Sequence, residues 1–292
     1  MREKLKYFLW SLARLPGTDT TCPACDERQT ALVKRKYTTA LYRYLSCKLM
    51  FRVPKDEPQK SEGFYESEYR QGFTTDCPSP DNLEKLKQTR FAGTEKDYAA
   101  YIDFIKAAGV TLGMSIFDFG CSWGYGSWQL QQAGYDVYSC EIARTRARYA
   151  ENMLDCKLVS PEQPGRQFDC FFSAHVLEHL SNPRYMWEIA CRALRPGGLV
   201  ITFLPNGNLR RPKVHKLWGK VHPMLIDSDA LLRIGECAGV SGVTYTSPYN
   251  LREVSCQVQS AKLLGDELAI VGRRSSSEFR GRTSGALPEL DN

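Results

Sequence analysis

Two of the chain's four histidines stand in one short segment, His175-Val-Leu-Glu178-His179. As a bare pattern this is H-x-x-E-H, the zinc signature of inverted metallopeptidases. Imidazole nitrogens are ligands that zinc accepts, and a zinc-bound water can be activated for hydrolysis. A metal-dependent hydrolase that uses His175, Glu178 and His179 is therefore one hypothesis for this chain.

A zinc helix would need both histidines on one face of a sustained helix, and the flanking residues argue against it. The preceding run FDCFF, residues 168–172, is rich in aromatic residues and is typical of a strand. After the pattern, Ser181-Asn182-Pro183 is a helix start signal, because proline is favoured in the first turn. Barely more than one turn remains between them. We therefore predict a strand end and a turn here, with the hydrolase as a minor alternative.

A glycine-rich segment, DFGCSWGYG at residues 118–126, follows another strand-like run. Glycine lets the chain turn tightly and lets a ligand lie against bare backbone, while the following helix presents free N–H groups. In an open α/β sheet, ligands bind at such a strand-to-helix turn. About 20 residues further on, Glu141 stands where a carboxylate can accept hydrogen bonds from a ribose diol. The pattern predicts a cofactor that carries adenosine.

The loop also discriminates between adenosine cofactors. A dinucleotide site favours G-x-G-x-x-G, and Gly124-Tyr-Gly126-Ser-Trp-Gln lacks the third glycine, which weakens the case for NAD. The pattern G-x-x-x-x-G-K-[ST] is missing, which excludes a P-loop. Asp118 would repel a phosphate but suits a cation, such as the ammonium and sulfonium groups of S-adenosylmethionine.

Four motifs in order, DFGCSWGYG, YSCE, FDCFFSAHVLEHL and LRPGGLVITFLPN, resemble those of class I S-adenosylmethionine-dependent methyltransferases. The resemblance covers roughly Tyr98 to Arg273. The family's loop is usually D-x-G-x-G-x-G, and Ser122 stands here at the middle glycine. Serine is a small replacement, so the resemblance still implies S-adenosylmethionine as the cofactor.

The resemblance also implies which residues hold this cofactor. Asp118, Gly120 and Gly124 would cradle the methionine half. Glu141 would hold the ribose, and the backbone around Ser173 to His175 would close the site. The full expected set is Asp118, Phe119, Gly120, Cys121, Ser122, Gly124, Glu141, Ile142, Ser173, Ala174 and His175, with Glu162 as a candidate beside the adenine.

The histidine segment gains a second interpretation from the family, which carries a similar turn after its fourth strand. Glu178 and His179 either bond neighbouring backbone or act in catalysis or acceptor binding. Some members with E-x-x-E-H bind a divalent ion that helps to ionise a substrate hydroxyl. By resemblance, His175, Glu178 and His179 are candidates for that task, with His222 as a fourth ligand.

The loop at residues 205–231 is long for a strand-to-helix connection, and long loops at this edge tend to cover substrates. Its segment Lys220-Val-His222-Pro resembles the place where relatives put a histidine near the transferable methyl. His222 is therefore a candidate general base, and a solvated loop histidine is the alternative. Tyr65 and Tyr69 are expected to fold over the site, as an aromatic stretch does in relatives with an N-terminal ribbon.

Cys22-Pro-Ala-Cys25 is a metal-knuckle pattern, and a second pair about 20 residues later would complete a tetrahedral zinc site. That second pair is incomplete, because Tyr44 stands where ribbon-bearing methyltransferases have a cysteine and only Cys47 remains. Cys77 is a distant candidate for the fourth ligand. A zinc-loaded ribbon and a metal-free one stay open, and either would be structural.

Strand-like and helical runs alternate from about residue 98, which predicts an α/β, Rossmann-like, seven-stranded and mostly parallel sheet with helices on both faces. We expect five regions along the chain. They are an amphipathic helix at 1–20, a small zinc-ribbon-like module at 21–55, a linker or cap at 56–89, the methyltransferase domain at 90–273 and a disordered tail at 274–292.

Composition limits the setting and the partners. The net charge of +6 on 292 residues is mild, so we expect no nucleic-acid partner. Eleven cysteines, several in apolar runs (Cys121, Cys140, Cys170, Cys191), favour a reducing cytoplasm. The first helix lacks a signal-peptide cleavage site and a membrane-span length, so it docks on its own protein or lies on a membrane surface.

These patterns together predict a methyltransferase in which an acceptor atom attacks the cofactor's methyl group in line. Such catalysis depends chiefly on proximity and alignment, with a base only where the acceptor must lose a proton. By analogy, the acceptor is a small molecule or a cell-envelope glycan or lipid. A protein that binds the cofactor without transferring the methyl group is the alternative.

Overall fold

The structure is a computed structural model, and it describes residues 2–14, 19–55, 76–219 and 221–275. The expected lid residues Tyr65 and Tyr69 lie outside the described residues. So do residues 56–75 of the expected linker and the expected disordered tail from residue 276 onward.

In chain order, the first elements are α1 (Arg2–Ala13), β1 (Thr30–Lys36), β2 (Thr39–Tyr44), β3 (Met50–Val53), α2 (Pro80–Gln88), α3 (Ala99–Ala107), β4 (Ser115–Phe119), α4 (Tyr125–Gln132), β5 (Asp136–Cys140) and α5 (Arg144–Leu154). They are followed by β6 (Lys157–Leu158), β7 (Phe168–Ala174), α6 (Pro183–Ala193), β8 (Leu194–Pro205), β9 (Met224–Leu225), α7 (Ser228–Cys237), β10 (Val240–Thr246), α8 (Leu251–Ser255) and β11 (Glu267–Arg274). Two short 3-10 helices, Leu177–His179 and Val214–Lys216, interrupt the loops.

A seven-stranded sheet has the order β10-β11-β8-β7-β4-β5-β6. Neighbours are parallel from β8 through β6, and β11 runs antiparallel to both β8 and β10. This confirms the predicted seven-stranded, mostly parallel sheet. The carboxyl ends of β4, β5, β7 and β8 meet at one edge, which is where such sheets bind ligands.

Apolar side chains cover both faces of this sheet, as is typical of parallel sheets, whose two faces are both buried. On one face Phe117 and Phe171 pack with Trp187 of α6. On the other face Phe172 packs in a cluster with Phe104 of α3. The prediction of helices on both faces is therefore confirmed. The cysteines expected inside apolar runs are also buried: Cys121, Cys140, Cys170 and Cys191.

A second sheet of four strands has the order β1-β2-β3-β9 and is antiparallel throughout. Its first three strands come from the N-terminal segment, but β9 comes from the long loop after β8. The cysteine-bearing segment also joins the main core, where Tyr44 and Phe51 share one apolar cluster with Leu231. Arg43 on β2 pairs with Asp227, at 3.1 Å, just before α7. The N-terminal strands and the loop after β8 therefore support each other.

Helix α1 packs on the four-stranded sheet through one side. The Arg52 guanidinium of β3 lies over the Tyr7 ring, 5.6 Å from its centroid, and Ser11 contacts Thr38 in the turn between β1 and β2. Three apolar side chains of the other side, Phe8, Leu9 and Leu12, are exposed. Across the described ranges, no helix has the length and hydropathy needed to cross a bilayer.

Candidate active site

The glycine-rich loop after β4 turns through left-handed backbone conformations. Gly120 has φ +84°, Ser122 φ +53° and Gly124 φ +91°. Ser122 reaches this region at a modest cost, which explains why the usual middle glycine can be a serine here. The N–H groups of Gly120 and Cys121 both donate to the Cys140 carbonyl at 3.0 Å, so the loop is tied to the end of β5.

Two of the glycines also allow close packing of the loop. A Cβ on Gly120 would lie 2.5 Å from the Val176 side chain, and one on Gly124 would lie 2.8 Å from both Ala150 and Cys156. Real Cβ atoms do not approach so closely, so both positions require glycine. The loop is thereby pressed against the turn that carries the histidines.

Asp118 is the penultimate residue of β4, just before this loop, and is only 2% exposed. Ser127 Oγ donates to its Oδ2 at 2.6 Å, and Ser139 Oγ donates to Ser127 Oγ at 2.9 Å. Burial raises the pKa of Asp118 to about 7, against the lowering effect of the Ser127 hydrogen bond, and the charge of Glu141 adds to the rise. A cationic ligand at the loop would stabilise the ionised form.

Glu141 follows β5, where the sequence predicted a ribose-binding carboxylate. Its oxygens accept hydrogen bonds from Ser122 N at 3.0 Å, from Ala143 N at 2.8 Å and from the Arg146 guanidinium at 3.0 Å. A carboxylate offers about four lone-pair positions, so one remains for a further donor. The adjacent Ile142 is 58% exposed, as a side chain that stacks against a ligand would be. Arg146 was not predicted, because its contact depends on the first turn of α5.

The remaining residues that were expected to bind the cofactor differ in their exposure and in their hydrogen bonds. Phe119 and Cys121 are buried, so only their backbone is available to a ligand. Ser173 is also buried and donates from Oγ to the Phe119 carbonyl at 3.1 Å, while Ala174 is half-buried next to it. Glu162 lies on an exposed loop and accepts a hydrogen bond from Tyr185. These contacts position the loop but do not single out an adenine-binding group.

The histidine segment is a strand end followed by a turn, as predicted. β7 ends at Ala174, His175 has φ +57°, and Leu177–His179 forms one 3-10 turn before α6 begins at Pro183. His175 N donates to the Phe203 carbonyl at 2.8 Å. His175 and His179 are not on one face of a sustained helix, so the structural basis of the zinc-hydrolase hypothesis is wrong.

His175 is held by two carboxylates that lie on opposite sides of its ring. Its Nε2 is 2.7 Å from Glu267 Oε2, and its Nδ1 is 3.4 Å from Glu178 Oε1. Glu267 also accepts hydrogen bonds from Tyr101 and Tyr249, both at 2.6 Å. Burial lowers the pKa of His175, but the bonds to Glu178 and Glu267 outweigh it and raise the pKa to about 10. No sequence pattern predicts Glu267, Tyr101 or Tyr249 at this site.

Glu178, His179 and His222 form a group of polar side chains beside His175. One ligand atom from each residue lies within 4.8 Å of the others, and the two imidazole rings meet with centroids 4.5 Å apart. Glu178 is 4% exposed. Its Oε1 lies 3.4 Å from His175 Nδ1 and 3.8 Å from His179 Nε2, whereas its Oε2 has no hydrogen-bond partner among the described residues. Burial lowers the pKa of His179 to about 4, so its ring is neutral. His175 is outside this group, contrary to its expected role as a ligand, because Glu267 holds its Nε2.

Backbone carbonyls orient the two rings of this group. His179 Nδ1 lies 3.2 Å from the Val221 carbonyl, and His222 Nδ1 lies 3.0 Å from the Leu217 carbonyl. His222 Nδ1 can therefore donate to its carbonyl, which leaves its Nε2 as the acceptor nitrogen. His179 Nε2 lies 3.8 Å from Glu178 Oε1. The long loop after β8 brings His222 beside His179, in the turn after β7. Its expected role as a general base stays a prediction.

The cysteine cluster lies in the N-terminal segment. The sulfur atoms of Cys22, Cys25 and Cys47 all lie within 4.8 Å of one another, with Cys22 and Cys47 at 3.4 Å. The hydrogen bond from Cys22 lowers the pKa of Cys47 to about 6. Cys77 instead packs against an apolar cluster that contains Trp123. The expectation that Cys77 could supply a fourth ligand is therefore wrong.

The fold and the glycine loop define a Rossmann-like domain of the class I S-adenosylmethionine-dependent methyltransferase type. A family model described as a methyltransferase domain matches residues 117–202, which run from β4 into β8. Residues 117–202 thus match a methyltransferase domain, which agrees with this class.

Curated relatives share part of the chain. A ubiquinone biosynthesis O-methyltransferase of Sinorhizobium fredii is 28% identical over 108 residues, which are 34% of this chain and 44% of that protein. The enzyme of the same name from Roseobacter denitrificans is 31% identical over 107 residues, 33% of this chain and 43% of that protein. The match thus spans less than half the length of these two relatives.

Solved structures share the fold. Magnesium protoporphyrin IX methyltransferase from Synechocystis, with bound S-adenosylhomocysteine, has a TM-score of 0.50 at 15% identity and covers 75% of this chain and 100% of that chain. The 1,6-didemethyltoxoflavin-N1-methyltransferase of Burkholderia thailandensis has a TM-score of 0.51 at 13% identity, covering 84% and 99%. At such identities the likeness concerns the fold.

Proposed function

We propose that this protein transfers a methyl group from S-adenosylmethionine to a hydroxyl oxygen of a small molecule. The observation that carries the proposal is the group Glu178, His179 and His222 beside the glycine-rich loop. It joins a buried carboxylate, whose Oε2 has no hydrogen-bond partner among the described residues, to two imidazoles at the ligand-binding edge of the sheet.

The residues of the loop suit the cofactor. Gly120 and Gly124 expose backbone that a side chain would cover, and Glu141 retains a position for a ribose hydroxyl. Asp118 supplies negative charge beneath the loop for the cationic methionine half. When bound, S-adenosylmethionine supplies an electrophilic methyl group, and the site supplies alignment.

The group of Glu178, His179 and His222 suits a divalent ion. His175 pairs with only one oxygen of this buried carboxylate, and a buried oxygen without a hydrogen-bond partner is costly, so an ion beside Glu178 Oε2 would compensate that cost. Imidazole and carboxylate are ligands for several divalent metals. Such an ion would lower the pKa of an acceptor hydroxyl, which is the chemistry that O-methylation requires. Without an ion, His222 remains the candidate general base.

The printed name of the curated relatives, ubiquinone biosynthesis O-methyltransferase, supports an oxygen acceptor on a small molecule. We propose this class of acceptor over an envelope glycan. At this edge of the sheet the Tyr101 ring lies tilted against Phe203, with centroids 4.3 Å apart. The half-exposed His175 lies beside the carboxylate of Glu267. Aromatic and polar groups together suit an aromatic alcohol.

Contact with a membrane surface is a second part of the proposal. Phe8, Leu9 and Leu12 form an exposed apolar stripe on α1, and β1 adds three exposed basic residues at positions 34–36. Ser11 contacts Thr38, so the helix and the basic hairpin lie together. An apolar stripe beside basic residues is typical of a surface that binds anionic lipid.

The test is formation of S-adenosylhomocysteine when the protein is mixed with S-adenosylmethionine, Mg²⁺ or Mn²⁺ and a simple catechol. We expect turnover, loss of turnover on chelation, and a fall of about 100-fold in the Glu178→Gln variant. The cofactor affinity of that variant should be unchanged. Glu151→Gln, at an exposed position of α5, is the matched control. Cofactor binding without turnover for any hydroxyl acceptor would instead favour a binding protein.

A further inference from the structure

Two loops of the N-terminal segment, residues 22–27 and residues 44–49, share the same pattern of backbone hydrogen bonds. In the first, Cys22 N donates to the Glu27 carbonyl at 2.7 Å and Asp26 N to the Cys22 carbonyl at 3.1 Å. In the second, Tyr44 N donates to the Leu49 carbonyl at 2.9 Å and Lys48 N to the Tyr44 carbonyl at 3.1 Å. The fifth residue of each is left-handed, with φ +60° and +62°. The second loop therefore repeats the first, although its first cysteine is replaced.

Three sulfur atoms point between these loops. Cys22 and Cys25 occupy the first and fourth positions of the first loop, and Cys47 occupies the fourth position of the second. Ala24 N donates to Cys22 Sγ at 3.4 Å, the N–H to sulfur contact of a metal knuckle. Tyr44 fills the remaining position with a fully buried ring, whose hydroxyl donates to the Thr21 carbonyl at 3.2 Å. The loops therefore offer three thiolates to one ion.

The second loop leads directly into β3, the strand that pairs with the segment just after His222. Two residues after Cys47 the buried Leu49 precedes β3, and β3 pairs with β9. Arg52 N donates to the Pro223 carbonyl at 2.7 Å, one residue after His222. The path from the sulfur cluster to the candidate active site is thus one short strand and one hydrogen bond.

We propose that Cys22, Cys25 and Cys47 bind one zinc ion, and that this ion fixes β3 and thereby positions His222. Three thiolates at this separation suit zinc, which binds thiolate in tetrahedral sites. The binding free energy of such an ion is available as folding free energy for the loops it joins. The part concerning His222 rests on the function proposed above, whereas the zinc site does not.

A fixed β3 matters because the loop after β8 has few regular contacts of its own. β9 has two residues, and both pair with β3, Met224 with Phe51 and Leu225 with Met50. The salt bridge from Arg43 to Asp227 is a second link on the same side. If the sulfur loops loosen, β3 loses the anchor that precedes it, and the residues from 221 to 226 lose their partner strand.

Zinc content and hydrogen exchange test this proposal without a methyl-transfer assay. We expect one zinc per purified chain, and its removal with a chelator should accelerate amide exchange of residues 221–226 by about tenfold or more. Peptides of β4 and β5 should exchange at an unchanged rate. No bound zinc, or equal exchange with and without zinc, overturns the proposal.

Variants separate the site from general unfolding. Cys47→Ser and the half-buried Cys25→Ser should each lower zinc content and accelerate exchange in residues 221–226. Cys256→Ser, which removes an exposed cysteine of the methyltransferase part, should change neither. Zinc-dependent exchange in a protein that never forms S-adenosylhomocysteine would contradict only the proposed function. Turnover that is insensitive to both cysteine variants, with unchanged exchange, would contradict only the role of zinc.

Discussion

Asp118 is a buried carboxylate whose ionisation should be coupled to cofactor binding. Its pKa is raised from 3.8 to about 7, chiefly by burial, so much of the free protein holds it neutral near pH 6. A bound cation would favour the ionised form. We expect the affinity for S-adenosylmethionine to rise by about tenfold from pH 6 to pH 8, with release of a proton at the lower pH.

Calorimetry in two buffers of different ionisation enthalpy measures this proton release. Methylthioadenosine, which lacks the charged groups, is the control ligand and should bind with little dependence on pH. The Asp118→Asn variant should remove the dependence for S-adenosylmethionine. If wild type and variant showed the same pH profile, Asp118 would not be the coupled group.

The raised pKa of Asp118 also makes the free energy of unfolding depend on pH. Because its pKa is higher in the folded state than the ordinary value of 3.8, the folded state is favoured most below about pH 4, and this contribution is lost as pH rises through about 7. Denaturant unfolding should therefore show Asp118→Asn gaining stability relative to wild type between pH 5 and pH 8. A constant difference across that interval would contradict the raised pKa.

The sequence predicts some of these residues and not others for a physical reason. Asp118 and Glu141 follow from spacing along neighbouring strands, which the chain itself encodes. Glu267 and Tyr101 meet His175 across 92 and 74 residues, so only the assembled sheet brings them together. No local pattern at Glu267 indicates that it will face a histidine.

Among the elements, the loop between β4 and α4 depends most directly on residue type. Gly120 and Gly113 have nearly equal φ, +84° and +81°, but a Cβ at Gly120 would meet Val176 at 2.5 Å, whereas at Gly113 nothing lies within 4 Å. Gly113→Ala should therefore cost about 1 kcal/mol of unfolding free energy, from backbone strain alone. Gly120→Ala should cost about 2 kcal/mol more, because packing must also change.

Denaturant unfolding of the two variants measures that difference in free energy, and calorimetry measures their affinity for S-adenosylhomocysteine. Gly120→Ala should also lose most affinity for S-adenosylhomocysteine, while Gly113→Ala should retain it. Equal destabilisation of the two variants would mean that the Val176 side chain can move away from the added methyl group with no cost in unfolding free energy.

The elements themselves were largely predictable, because each long strand and helix is encoded by its own run of residues. The fully buried β4 and the proline-started α6 are examples. The pairing of β3 with β9 was not predictable, since Phe51 and Met224 are far apart in the chain and β9 has only two residues. Such a short strand has no periodicity that could reveal its partner.

At the scale of the whole molecule, α1 and the four-stranded sheet form one surface that is apolar and basic. Phe8, Leu9 and Leu12 are exposed at 40%, 54% and 45%, beside basic residues 34–36. We expect the protein to sediment with vesicles that contain phosphatidylglycerol, and less so at high salt, because the basic residues contribute through screened charge.

Replacing Phe8, Leu9 and Leu12 together by serine should reduce vesicle binding by about tenfold. Leu112→Ser removes a comparably exposed leucine, at 67%, from the methyltransferase part and should leave binding unchanged. Equal binding of the triple variant and wild type would exclude α1 as the contact.

The glycine-rich loop after β4, the group of Glu178, His179 and His222, and the N-terminal sheet lie around one edge of the seven-stranded sheet. We expect this edge to bind S-adenosylmethionine through the loop after β4 and through Glu141, the carboxylate after β5. Calorimetric titration with S-adenosylmethionine tests that claim most directly. We predict one site per chain, with affinity reduced about tenfold or more in Glu141→Ala and unchanged in Glu151→Ala. No binding to the wild-type protein, or equal binding to wild type and Glu141→Ala, would contradict the account.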